Sequence, residues 1–134
     1  MALPNGAGGY QLGDGNLNEA VMGYSAAPVT ATDTATLTAA QVLNGLILAT
    51  PTAAADYTLP LVSNLESDLS SAKVGSTIQF VIVNLASNSS YDITLLTNTG
   101  WTITGGGSVV VENSSSARFL ARKTGAGSWQ LYRV

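Results

Sequence analysis

Residues 77–97 read TIQFVIVNLASNSSYDITLLT, two apolar runs separated by a Ser/Asn-rich break. The first run, 77–85, is rich in Ile, Val and Phe and bounded by turn residues, so it reads as a strand. Residues 87–90 read as a turn and 91–97 as the next strand. Downstream the pattern recurs: a turn at 98–100, a strand at 101–104, a glycine break at 105–107, a strand at 109–112 and a turn at 113–116. The chain closes in a hairpin, 117–123 and 129–134, around Thr124-Gly-Ala-Gly127. In it Trp129 and Leu131 share one strand face and Gln130 and Tyr132 the other. Phe119 and Ala121 stand opposite Arg118, Leu120 and Arg122 in the same way.

Upstream, residues 29–38 (VTATDTATLT) place Thr at 30, 32, 34, 36 and 38, which predicts one strand with a threonine face. Thr38 then reads as the N-cap of a short helix ending before Gly45. Residues 46–50 and 57–59 are short apolar strands, each closed by a proline. Ser63 with Glu66 three residues on predicts a capping box opening a second short helix, with Leu65, Leu69 and Ala72 on one face. The sum is about eight short strands with turns every 8–12 residues. The expected fold is all-β: an antiparallel β-sandwich, jelly-roll-like, with one or two short helices and an extended N-terminal arm. No solenoid-length repeat is visible.

Residues 1–28 stand apart from the sandwich domain at 29–134. They hold six of the fourteen glycines and isolated large residues, with no period of 2 or 3.6. Such a stretch reads as an arm laid over a partner surface. Leu3, Tyr10, Leu12, Leu17, Met22 and Tyr24 are its candidate anchors.

Composition narrows the function. Charged residues make up 10% of the chain, against about 25% in typical soluble proteins. Ser, Thr, Asn, Gly and Ala must therefore cover the surface, as in fibres, shells and coats. The net charge is −3, which argues against nucleic acid as a partner. The charge is split: residues 117–134 carry Arg118, Arg122, Lys123 and Arg133 and no acid, while all eight acids precede them. That basic end suits an acidic partner. No apolar run is long enough to span a bilayer, and the first residues lack the basic and apolar regions of a secretory signal.

With no Cys and no His, the usual general base, the Ser-His and Cys-His pairs and thiolate zinc sites are excluded. Asp56 with Asp92 or Glu112 would be needed for a glycosidase pair, but no spacing selects them. Asp14-Gly-Asn16-Leu-Asn18 begins like a calcium loop and then departs, with Glu19 where glycine belongs and Ser25 where glutamate belongs. The Gly6–Gly9 cluster lacks the strand and helix of a phosphate cradle. Asn88-Ser-Ser90 and Asn113-Ser-Ser115 match glycosylation sequons and read as turns. Trp101 and Trp129 read as core packing, with a sugar-stacking platform of Trp101, Trp129, Tyr132 and Tyr91 as the alternative. No catalytic, cofactor or metal residues are assigned.

Three segments carry a resemblance: LTAAQVLNGLILATPTAAADYTLP (37–60), VGSTIQFVIVNLASNSSYDITLL (74–96) and SARFLARKTGAGSWQLYRV (116–134). With the W-x-I-x-G turn at 101–105 and the terminal W-x-L-Y at 129–132, they resemble virion proteins of tailed bacteriophages over about three-quarters of the chain. Within that class the small size and free arm are most similar to capsid decoration (cement) proteins. The resemblance implies a non-enzymatic protein on the outer surface of the capsid, with a jelly-roll-like sandwich. Its implied partners are the major capsid protein and further copies of itself, as a homodimer or homotrimer, with neither nucleic acid nor membrane. Arg118, Arg122 and Arg133 would meet acidic capsid surface. The alternative within the resemblance is a head or tail fibre module that binds a carbohydrate receptor.

Overall fold

The computed structural model describes residues 23–104 and 109–134. In chain order these form β1 (Val29–Ala31), β2 (Ala35–Thr36), α1 (Ala39–Asn44), β3 (Leu46–Ala49), β4 (Ala55–Thr58) and α2 (Val62–Asp68). There follow β5 (Thr77–Asn84), β6 (Ile93–Leu96), β7 (Trp101–Ile103), β8 (Val110–Val111), β9 (Ser116–Gly125) and β10 (Ser128–Arg133). One sheet has six strands in the order β1-β3-β5-β9-β10-β7, the other four in the order β2-β4-β6-β8.

The expected antiparallel, jelly-roll-like sandwich does not form. Up to β6 the chain alternates between the sheets, so each strand lies parallel to the one before it in its own sheet. Strand β7 also pairs in parallel with β10, and antiparallel pairing is confined to β5–β9, β9–β10 and β6–β8. The described fold is thus two mixed sheets with two short helices. Period-2 alternation says which face a side chain occupies but not which way the neighbouring strand runs. A parallel pair needs a crossover, usually a helix; here the crossover contains a strand of the opposite sheet. The coils are also unequal in length. Register partners Val29 and Ile47 lie 18 residues apart, whereas Leu46 and Val81 lie 35 apart, which leaves no fixed period in the sequence.

The single strand expected over 29–38 breaks at residues 32–34, where the chain passes from one sheet to the other. Its threonines at 30, 32, 34, 36 and 38 are all exposed, as are Asp33 and Ala35 between them. The break is held coil to coil. Asp33 accepts from the Thr52 backbone N–H at 2.8 Å and from its hydroxyl at 2.9 Å, and Thr50 N–H donates to Ala31 C=O. Leu85 N–H donates to Ala49 C=O, repeating that step one coil later.

The core fills the space between the sheets. Ile47, Ile82 and Ala117 form one inward row across the larger sheet, and Phe80 and Phe119 stack in the next with centroids 5.3 Å apart. Ala55, Tyr57, Ile93, Leu95 and Val111 face them from the smaller sheet, all buried. One polar residue is buried among them: Asn84, at the end of β5. Its Nδ2 donates to Tyr91 C=O and Val111 C=O, and its Oδ1 accepts from Ala86 N–H. That amide links the end of β5 to the other sheet.

Helix α1 begins as expected. Thr38 caps it in a capping box with Gln41, and Gly45 closes it in the left-handed region at φ 92°. Helix α2 does not. It starts one residue before Ser63, its N-cap is Leu61, and no side chain caps it. Glu66 is instead drawn to Lys123 and Trp129. Gly100 (φ 95°) has no room for a side chain: a Cβ would lie 2.6 Å from Val62 Cβ and 2.7 Å from Gly127 C=O.

Two substitutions test this packing by urea unfolding. Gly100→Ala is expected to cost about 3 kcal/mol or more, combining a forbidden φ with a backbone clash, while Gly125→Ala, with open space around it, stays within about 1 kcal/mol of wild type. Asn84→Leu leaves two buried backbone groups and one partly buried one without this partner and is expected to cost about 3 kcal/mol. Wild-type stability of Asn84→Leu contradicts a role for the amide in joining the sheets.

Candidate functional site

The two faces of the six-stranded sheet are unlike. Its inner face is sealed by the smaller sheet and by α1 and α2, whose buried residues Ala39, Val42, Val62 and Leu65 all belong to the core. Its outer face remains partly open, and register reads it row by row. Leu48 lies beside Val83, and Leu46 beside Val81, which pairs with Arg118. In the next row Gln79, Leu120 and Tyr132 adjoin, and in the last Thr77, Arg122 and Gln130. Leu46, Leu48, Val81, Val83, Leu120 and Tyr132 are each only partly covered. The result is a contiguous half-exposed aliphatic strip with a guanidinium at each end of one strand segment. Arg118 and Arg122 stand four residues apart on the same side of β9, about 13 Å along the strand.

The four cations of the basic end therefore separate. Lys123 Nζ pairs with Glu66 at 3.0 Å and also donates to Ala72 C=O. Arg133 lies in the inward register beside Phe119, and its Nη1 donates to Val110 C=O in the other sheet at 2.7 Å. Arg118 and Arg122 are exposed on the outer face, with no carboxylate partner among the described residues. Of the arm anchors, Tyr24 is 98% exposed, in a segment 23–28 that is exposed throughout and held by a bond from Asn44 Nδ2 to Ala27 C=O. Leu3, Tyr10, Leu12, Leu17 and Met22 lie outside the described residues, as do the Asp14–Asn18 loop and the glycines at 6–9 and 105–107.

Sequence reasoning missed the strip itself. Its signal was present in LILA (46–49) and VIV (81–83), strands apolar on both faces rather than alternating. Such runs mark parallel strands, which are ordinarily covered on both sides.

The other candidates resolve into structure. Trp129 is 1% and Trp101 7% exposed; the Trp129 indole N–H donates to Glu66 and that of Trp101 to Pro60 C=O at 2.7 Å. Neither ring is open to a sugar. Asp56 is exposed on β4, Glu112 is exposed after β8, and Asp92 accepts from Asn113 N–H, so the three do different work. Asn88 accepts from Ser90 N–H within its turn. Among the described residues no group of His, Cys, Asp and Glu is placed to hold a metal, and no helix is long and apolar enough to cross a membrane.

No protein-family model, curated protein or solved structure matches this chain.

Three titrations follow from the geometry. Burial, with a smaller push from the Asp33 carboxylate, raises the Tyr57 hydroxyl to about 12 while it donates to Thr32 C=O at 2.6 Å. Its contribution to stability is complete below the ordinary value of 10.0 and fades as pH rises through about 12. The hydrogen bond from Lys123 chiefly, with the Trp129 indole assisting against desolvation, holds Glu66 below its ordinary value of 4.5. The Thr52 backbone N–H, and then its hydroxyl, likewise lower Asp33. Both carboxylates stabilise above the ordinary carboxylate range, and that stabilisation is lost as pH falls through their folded values. Thermal unfolding between pH 6 and 2 is therefore expected to show a shallower acid decline in Glu66→Gln than in wild type; identical declines contradict the ion pair. Ultraviolet titration is expected to show one tyrosine ionising near 12, absent from Tyr57→Phe.

Proposed function

We propose that the protein is a non-enzymatic structural component of a phage coat, a decoration protein that binds the outside of a capsid alongside copies of itself. The observation that carries this reading is the outer face of the six-stranded sheet, which is only partly covered among the described residues. Parallel strands with apolar residues on both sides are stable when both sides are covered. Here one side is sealed by the second sheet, and the strip from Leu48 to Tyr132 is left half open. Completing the burial of each aliphatic side chain is worth about 1 kcal/mol. Arg118 and Arg122 at the margin favour an acidic partner and set its orientation. The likeness of residues 37–134 to virion proteins supplies the coat, and the exposed segment at 23–28 leads into an arm suited to reach a neighbour.

Co-sedimentation with undecorated capsid shells of tailed phages tests this directly. Full-length protein is expected to pellet with shells, and Leu120→Glu, which places a carboxylate in the strip, to raise half-saturation at least about tenfold. Its unfolding midpoint should stay near that of wild type, because Leu120 faces outward. Wild-type protein that ignores the shells, or a Leu120→Glu variant that binds them equally well, contradicts the proposal.

A further inference from the structure

We infer that residues 10–22 of a neighbouring copy occupy the outer face of the six-stranded sheet, so that copies join arm to face. This rests on reading that face as the docking surface and names its occupant.

Charge selects the arm. Residues 1–22 carry Asp14 and Glu19 and neither Lys nor Arg, whereas the face presents Arg118 and Arg122. The match is one of overall charge, two acids on the arm against two guanidinium groups on the face. The apolar content also matches: Leu12, Leu17 and Met22 punctuate the same segment at five-residue intervals. Packing the faces of two copies directly against each other is the competing arrangement. It would bring Arg118 and Arg122 of both copies together in one interface with no acid on either face to answer them.

The exit of the chain selects a neighbouring copy. Residues 23–28 join β1 at the edge of the same sheet, and every one of them is exposed. A segment folding back over its own sheet would begin to bury there; instead Tyr24 is almost wholly exposed. Six extended residues reach about 20 Å, enough to leave the edge of the domain. Arm and face are different surfaces, so the contact closes either as a reciprocal two-fold exchange between two copies, which is isologous, or head to tail as a ring, which is heterologous.

Light scattering on the full-length protein, without shells, tests the inference. Wild type is expected to run at a small multiple of the 13.7 kDa chain and to shift toward monomer in high salt. Arg118→Glu/Arg122→Glu and Asp14→Arg/Glu19→Arg should each weaken assembly at least about tenfold. The four substitutions combined restore the charge match and should restore assembly. Circular dichroism and unfolding midpoints should remain those of wild type throughout. A monomeric wild type, assembly that persists in either double variant, or a combined variant that fails to reassemble overturns arm-to-face joining. A monomeric wild type that still binds shells would remove this inference alone. An intact oligomer that ignores shells would remove the coat role alone.

Discussion

The Asn84 side chain is the interaction on which the architecture turns. At this residue β5 ends, and after a short connection the chain continues as β6 in the opposite sheet. A buried amide there must satisfy all its hydrogen-bonding groups or destabilise the core, and it does so with backbone groups before β6, on β8 and two residues ahead. No aliphatic residue of similar size makes those bonds. The crossover from sheet to sheet thus has a fixed geometry, and the parallel placement of β6 beside β4 depends on it.

The outer face follows from the same constraint. In most parallel sheets helical crossovers lie on the faces and cover them. Here the crossovers run through a second sheet, which seals one side of the six-stranded sheet and leaves the other without that cover. The strands retain the apolar character of two-sided burial, in Leu46, Leu48, Val81 and Val83, although only one side is sealed within the described residues. Arg118 and Arg122 flank Leu120 on β9, where they favour solubility in the free protein and orient an acidic partner in the bound one.

Much of the element plan was legible in the sequence, because it rests on local physics. The closing hairpin placed Trp129 and Leu131 inward and Arg118, Leu120 and Arg122 outward by alternation alone. Thr38 and Gly45 marked the ends of α1. Strand direction was not legible: alternation at 77–85 is the same whether the neighbour runs parallel or antiparallel, and the unequal coils hide the repeat. The Ser63 capping box failed because Glu66, three residues on, gains more from Lys123 and the Trp129 indole than from a helix terminus. Of the candidate site, the charges of Arg118, Arg122 and Arg133 were legible, but the register that sets Arg133 apart from the other two was not.

Methyl-resolved NMR of the full-length protein, followed from dilute to concentrated solution and then with shells added, examines the docking face most directly. Outward Leu46, Leu48, Val81, Val83 and Leu120 methyls should shift or broaden together, while inward Ile47, Ile82 and Leu131 methyls hold their positions. Perturbations centred instead on the exposed Leu61, Val74 or Leu85, with the strip unmoved, would contradict the assignment of that face as the docking surface.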